Sequence, residues 1–333
     1  AHPHVLNAVQ RALHRGSLLS LPSPQEGIIA ERVCGLFGLQ QARFVKTGSE
    51  ACAAAVRIAR MATDRELVVS LTTDYHGWHD WFQASQDQHP GVPEWYEQGI
   101  AKAPLSSLVV QDVVDLVTSY TALVMIEPCL NTIISASDLK KVVDRAHECG
   151  ALVCFDEMIC APRWAAGGGT EYFGVQPDLV TGGKGFGNGV PIAFVAGSRE
   201  VMRHAWAISG TFGGETLGLA ACGAVLDILS GTVGGYGGDD FGQGDPIQRM
   251  WRVGQHLIDH VAGVCARLSL PFAFTGYAVH PVPTWRPPID PAPTGVRVNH
   301  AATGSIRSRR SSGRSCSRSA SPARTTRCER QTS

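Results

Sequence analysis

"ALVMIEPCLNTIISASDLKKVVDRAHECGALVCFDE", residues 122 to 157, is the stretch that decides the fold class. It opens with ALVMI (122–126), a short apolar run that stops at Glu127-Pro128, and closes with ALVCF (151–155), which stops at Asp156-Glu157. Between the two runs, Leu139, Val142, Val143 and Ala146 recur at helical spacing. Ser137 can cap the start of that helix and Gly150 can end it. Strand, helix, strand over about 35 residues is a βαβ unit, whose crossover is expected to be right-handed.

Further apolar runs extend the pattern outward. ELVVS (66–70) and SSLVV (106–110) are strand candidates, and DLVT (178–181) and AFVAG (193–197) bracket a glycine-rich loop. The expected architecture is α/β, with a mostly parallel sheet flanked by helices. In such sheets ligands bind beyond the carboxyl ends of the strands, where Glu127 and Asp156 fall. AHPHVLNAVQRALHRG at the start and DPIQRMWRVGQHLIDHVAGVCARL (245–268) read as helices. GTVGGYGGDDFGQG (231–244) holds seven glycines and reads as a flexible connection, with a domain boundary nearby. HPVPTWRPPIDPAPTG (280–295) is too rich in proline for a regular element.

Composition narrows the class. The 333 residues are 44% hydrophobic and 17% charged, which describes a globular chain able to bury a large core. The longest apolar runs are far too short to span a bilayer, and no apolar signal core opens the chain. The absent initiator Met suggests a fragment or a processed start. None of the ten cysteines forms a CxxC pair and most sit in apolar segments, so reduced core thiols in a cytoplasmic protein are expected, with no metal. Net charge is zero, yet residues 301–333 carry eight Arg and nine Ser against one acid, Glu329. A basic tail could bind nucleic acid. This one has no aromatics for stacking and no apolar periodicity, so it reads as disordered.

The chemistry centres on LVTGGKGFGNGVPIAFVAG (179–197). Only five lysines occur against twenty-four arginines, and Lys184 stands alone among glycines between apolar runs. Glycines admit a closely bound molecule, and burial would lower the lysine pKa toward neutrality. RFVKTGSEACAAAVRIARMAT (43–63) is a strand, a turn and an Ala-rich helix beginning near Ser49. Thr47, Gly48 and Ser49 there offer free N–H groups that suit a phosphate, although Ser49 with Glu50 could merely cap the helix. In DYHGWHDW (74–81), Tyr75 and His76 precede a glycine, and Tyr75 can stack on a planar ligand or simply pack in a loop. Histidines 76 and 79 do not make a metal site without further ligands. Together, a phosphate cradle, a stacking aromatic, a carboxylate and a lysine are what pyridoxal phosphate requires.

These residues also carry a family resemblance. AHPHVLNAVQRAL, RFVKTGSEACAAAVRIARMATDRE, YHGWHD, CFDEMICAPRW, EYFGVQPDLVTGGKGFGNGVPIAFVAG and SGTFGGETLGLAA follow one another from residue 1 to about 275. In that order they resemble the class III aminotransferases, pyridoxal-phosphate enzymes of fold type I, nearest to glutamate-1-semialdehyde aminomutase-like members. The resemblance implies a large domain with a seven-stranded, mostly parallel sheet and a smaller, here incomplete, α/β domain. Residues 1–30 would be an N-terminal helix and small-domain segment, 31–230 the cofactor domain, and 245–290 part of the small domain, with 291–333 as tail. Lys184 would be the Schiff-base lysine that also moves the substrate proton, and Asp156 would pair with the pyridine nitrogen. Gly48 and Ser49 would hold the phosphate, with Thr47 beside them. Tyr75 would stack on the ring with His76 adjacent, and Met158 would pack on the opposite face. Glu127 would lie near the ring hydroxyl, and Thr211 would reach a phosphate of the partner subunit in a homodimer with shared sites. An amine donor and a carbonyl acceptor are the implied substrates. A racemase or epimerase using the same lysine, or a non-catalytic homologue, are the alternatives.

The chain departs from the family pattern in four places. A segment usual before the HPHV helix is absent, and CLNTIIS (129–135) lacks the family's glycine-bearing loop. Residues 231–244 replace a helix-and-turn connection, and after about residue 285 the small domain's pattern gives way to RSRRSSGRSCSRSASPARTTRCERQTS. That Arg/Ser text is expected of a frameshift or a diverged extension.

Overall fold

A computed structural model of the chain describes residues 2–84, 91–103, 109–129, 135–233 and 245–285. The expectations for the Arg/Ser tail, for residues 234–244 of the glycine run and for most of CLNTIIS lie outside those residues.

Seven strands form the central sheet: β1 (Gln41–Val45), β2 (Leu67–Leu71), β3 (Ile100–Ala103), β4 (Thr121–Ile126), β5 (Leu152–Asp156), β6 (Leu179–Gly182) and β7 (Ala193–Gly197). Their spatial order is β1-β7-β6-β5-β4-β2-β3. The run β3-β2-β4-β5-β6 is parallel throughout, whereas β7 is antiparallel to both of its neighbours. Strands buried on both faces are continuous apolar runs, which is why the sequence marks them so plainly. The helices are α1 (Pro3–Leu13), α2 (Pro24–Phe37), α3 (Gly48–Thr63), α4 (Asp80–Gln83), α5 (Val109–Leu116), α6 (Ala136–Glu148), α7 (Gly168–Phe173), α8 (Arg199–Met202), α9 (Thr216–Leu229) and α10 (Pro246–Leu268).

Side chains alternate between the two faces of each strand. Val68, Leu123, Met125, Cys154, Leu179 and Val195 point to one face and pack against the alanine-rich side of α3. Small residues there let the helix lie close to the sheet. Val69, Val124, Ile126, Val153 and Phe155 point to the other face, onto α5 and the Leu139-Val142-Val143-Ala146 stripe of α6. Phe44, Val180, Phe194 and Ala196 continue that face under α2 and α9. Val5 of α1 packs against Ala221, Ala224 and Val225 of α9.

Several expectations need correction. The α6 cap is Ser135, not Ser137: its hydroxyl accepts from the Asp138 N–H while the Asp138 carboxylate accepts from the Ser135 N–H. That reciprocal pair outcompetes a single cap two residues later. The strand expected within 106–110 is not there: residues 106–108 are outside the described set, and Val109 and Val110 begin α5. The strand of that region is β3, whose IAKA sequence lacks a continuous apolar run. Within the proline-rich stretch, β9 (Val282–Thr284) pairs antiparallel with β8 (Ala273–Thr275). Pro283 is tolerated because a two-stranded ribbon leaves each strand an open edge where no N–H is needed. Among the described residues no helix is long and apolar enough to cross a membrane.

Candidate active site

The carboxyl ends of β1, β2, β5 and β6 meet at one cavity of about 340 Å³, within the range of small-molecule sites. Gly48, Ser49, Tyr75, His76, Asp156, Met158 and Lys184 all line it, although they span 137 positions of sequence. Thr47, Glu127 and Thr211 do not.

At the α3 end, Thr47 is the N-cap rather than Ser49. Its hydroxyl accepts from the Glu50 N–H at 3.2 Å, and the Glu50 carboxylate accepts from the N–H groups of Lys46 and Thr47 at 2.7 and 3.0 Å. Thr47 is therefore engaged in holding the helix start. The N–H groups of Gly48 and Ser49, in the first turn, take no part in this capping box and flank the cavity. The Ser49 hydroxyl accepts from the Trp78 N–H at 3.2 Å, tying the Tyr75–Trp78 loop to the helix. Gly77 makes that approach possible: its φ is +107°, and a Cβ there would lie 2.4 Å from the Ser49 hydroxyl.

Asp156 ends β5 almost wholly buried, at 1% exposure. Its Oδ1 accepts from the Met158 N–H at 3.1 Å and from the Thr181 hydroxyl at 3.0 Å. Its Oδ2 accepts from His76 Nδ1 at 2.8 Å and from the Cys52 thiol at 3.3 Å. Burial opposes the carboxylate, but the His76 hydrogen bond and charge outweigh it and hold the Asp156 pKa below its ordinary value. His76 is likewise pulled down by burial, yet Asp156, Asp74 and Glu127 raise it overall. Cys52, His76 and Asp156 bring donor atoms within 4.8 Å of one another, close enough for a shared metal ion. Their hydrogen bonds to one another already account for that spacing.

Lys184 follows β6 in a left-handed conformation, φ +41°, a strained backbone for a residue with a side chain. Its side chain is exposed at the cavity, which corrects the expectation of a buried lysine. What is buried is the platform: Gly182, Gly183 and Phe186 on either side. A Cβ on Gly183 would come within 3.0 Å of the Met158 sulfur, so the glycine lets Met158 fill the floor. Tyr75 is 56% exposed, leaving a ring face free at the rim.

Glu127 lies behind the cavity wall. Its Oε2 accepts from the Tyr75 N–H at 3.1 Å, and burial with the charges of Asp74 and Asp156 pushes its pKa up to about 8. Thr211 lines a second cavity of about 380 Å³, with Lys46, Arg57 and His79. Lys46 borders both cavities and is paired with Glu215. Sequence reasoning missed Lys46, Cys52 and the buried Glu157, whose carboxylate accepts from Gly169, Thr170 and the Thr170 hydroxyl. Adjacency to the TGS and DEM motifs was the only sequence signal for any of them.

Glutamate-1-semialdehyde 2,1-aminomutase from Thermus thermophilus is 32% identical over 255 residues, 71% of this chain and 60% of that protein. The same-named protein of Symbiobacterium thermophilum is 33% identical over 249 residues, 69% of this chain and 58% of that one. This chain thus spans about 60% of the length of the curated relatives it matches. Among solved structures, an omega-transaminase from Sphaerobacter thermophilus superposes with a TM-score of 0.70 at 25% identity, covering 84% of this chain and 67% of that one. A glutamate-1-semialdehyde-aminomutase from Pseudomonas aeruginosa, 20% identical, shares the fold at a TM-score of 0.69 over 86% of this chain and 66% of its own. The aminotransferase class-III family pattern matches residues 1–233, so this chain belongs to the class III aminotransferases and has their fold type I architecture.

Proposed function

We propose that this chain binds pyridoxal phosphate and acts as an aminotransferase or aminomutase, passing an amino group from an amine donor to a carbonyl acceptor. The single observation that carries this reading is one cavity bringing Lys184, Asp156 and the first turn of α3 together. The residues fit the cofactor. An amine, a buried anion, two N–H groups at a helix start and an exposed aromatic face are the four complements that its aldehyde, ring nitrogen, phosphate and ring need. When bound, pyridoxal phosphate supplies an aldehyde that captures amines and a ring that withdraws electrons from the substrate Cα.

The protein's own residues would do the rest. Gly48 and Ser49 donate to the phosphate, where the helix dipole favours an anion. Asp156, held ionised, keeps a proton on the ring nitrogen. Tyr75 covers one ring face and Met158 the other. Lys184 anchors the cofactor through its amine and, once freed by the incoming donor, takes the Cα proton as a general base and returns it elsewhere. Its exposure at the cavity suits both tasks.

Homodimerisation is part of this reading. Thr211 lies apart from Lys184, in a cavity with Lys46 and Arg57 that would meet the phosphate of a partner's cofactor. A cytoplasmic location fits the free, mostly buried thiols of the described cysteines. The domain division expected from sequence, with 31–230 as the cofactor domain, is kept. The test is turnover: purified protein with cofactor should convert a keto acid or aldehyde acceptor to its amine at the expense of an amine donor. Inversion of an amino acid's Cα without net amino transfer would instead make it an epimerase.

A further inference from the structure

We propose that His256 and His260, one turn apart on the outer face of α10, form a binding site for a divalent transition-metal ion that favours imidazole, such as zinc or nickel. The site lies outside the Lys184 cavity and does not depend on the cofactor reading. Inward, α10 presents Ile247, Trp251, Gly254, Ile258, Val261 and Cys265, a stripe at intervals of three and four residues. Trp251 Nε1 donates to the Trp164 carbonyl at 3.1 Å, and Gly254 meets the Ala278 carbonyl too closely for any side chain. These contacts fix the rotation of the helix about its axis. His256, Asp259 and His260 are thereby held on the opposite, exposed side.

Side chains four residues apart on a helix lie one above the other on the same face. The two imidazole rings stand 6.1 Å apart between centroids and 29° from parallel. Two imidazoles sharing one tetrahedral zinc, each nitrogen about 2.0 Å from the metal, stand roughly 5 Å apart. Closing the difference of about 1 Å takes only rotation of two exposed side chains, with no movement of the backbone. Helical zinc sites present two of their ligands at this same spacing. Between the rings in sequence, Asp259 Oδ1 accepts from Gln255 Nε2 at 2.9 Å, which holds a carboxylate beside the pair. Its Oδ2 can accept from a water on the ion. Arg252, one turn before His256, opposes the attraction of that carboxylate for a cation, so binding has to come from the two nitrogens. Paired imidazoles suit zinc, nickel or copper, whereas magnesium and calcium require oxygen donors. A bound ion would clip one turn of α10 and add to the stability of the folded chain by mass action.

The test is calorimetric titration of the tag-free full chain with nickel, beside His256→Ala and His260→Ala. Wild type should bind one equivalent that each variant binds about tenfold or more weakly. Nickel should raise the wild-type melting temperature, and clearly less so that of either variant. The absorption difference between nickel-loaded wild type and variant should contain no sulfur-to-nickel charge-transfer band, because both donors are nitrogen. Magnesium at the same concentration should produce none of these effects. Both side chains are exposed, and circular dichroism verifies that the variants fold. His256→Gln and His260→Gln replace any alanine variant that does not. Equal nickel affinity in wild type and either variant, a sulfur band in the difference spectrum, or an equal response to magnesium would overturn the proposal.

Discussion

At the level of single residues, the site divides into groups that sequence announces and groups that only folding assembles. Asp156 is announced because it directly follows a buried apolar run, and Lys184 because it is a lone lysine in a glycine loop between two such runs. Cys52 and Asp156 are 104 positions apart, and no local spacing signals that the thiol would donate to the carboxylate. His76 was legible as a member of the site, but its place between Asp156 and Asp74 was not. Lys184 was legible in position and misread in burial: the glycines bury the platform, not the side chain. Asp156→Asn tests the electrostatic role with little change of shape. Thr181 and the Met158 N–H can still donate to the amide oxygen, whereas the negative charge is lost. We expect turnover to fall about 10²-fold or more, with a smaller loss of cofactor affinity, read from steady-state kinetics at saturating cofactor.

At the scale of elements, helix starts prove decisive for the site. α3 begins where it does because Thr47 and Glu50 cap each other, and that exchange leaves Gly48 and Ser49 at the cavity. Thr47→Ala should cost about 1 kcal/mol in denaturant unfolding and weaken cofactor binding by mispositioning the first turn. A variant with unchanged stability would remove the capping argument. Gly77→Ala is predicted to be worse for binding than for folding. Its left-handed φ and the 2.4 Å approach to the Ser49 hydroxyl mean that an added methyl must push the Tyr75 loop off α3. Cofactor titration beside a thermal melt separates the two effects. Of the described elements, the helices α1, α3, α6 and α10 and six of the seven sheet strands were legible, since apolar runs and helical spacing survive in sequence. The direction of β7 was not, because an apolar run carries no sign of which way it points. β3 and β9 were hidden for a related reason: edge and ribbon strands need no continuous apolar run.

For the molecule as a whole, buried acids and the His76 imidazole make stability depend on pH in an unusual direction. Glu127 and Glu157 have folded pKa values of about 8 and about 7, raised by burial, and His76 is raised as well. Raised groups stabilise fully below their unfolded pKa, and that contribution is lost as pH climbs through the folded value. Asp156, lowered, acts oppositely and matters only in acid. The melting temperature should therefore decline from about pH 5 to about pH 8, and Glu127→Gln should flatten the upper part of that decline. A melting temperature that rises across this range would contradict the buried-charge account. The whole architecture also yields the most direct test of the central claim, that the Lys184 amine captures a pyridoxal phosphate whose ring nitrogen meets Asp156. Cofactor-free protein titrated with pyridoxal phosphate should develop a visible absorption band distinct from free cofactor, saturating at one equivalent per chain and abolished by borohydride, which would leave the cofactor fixed to the chain. Lys184→Ala, folded as wild type, should develop none. A band of equal intensity in Lys184→Ala, or no band in either protein, would contradict the account.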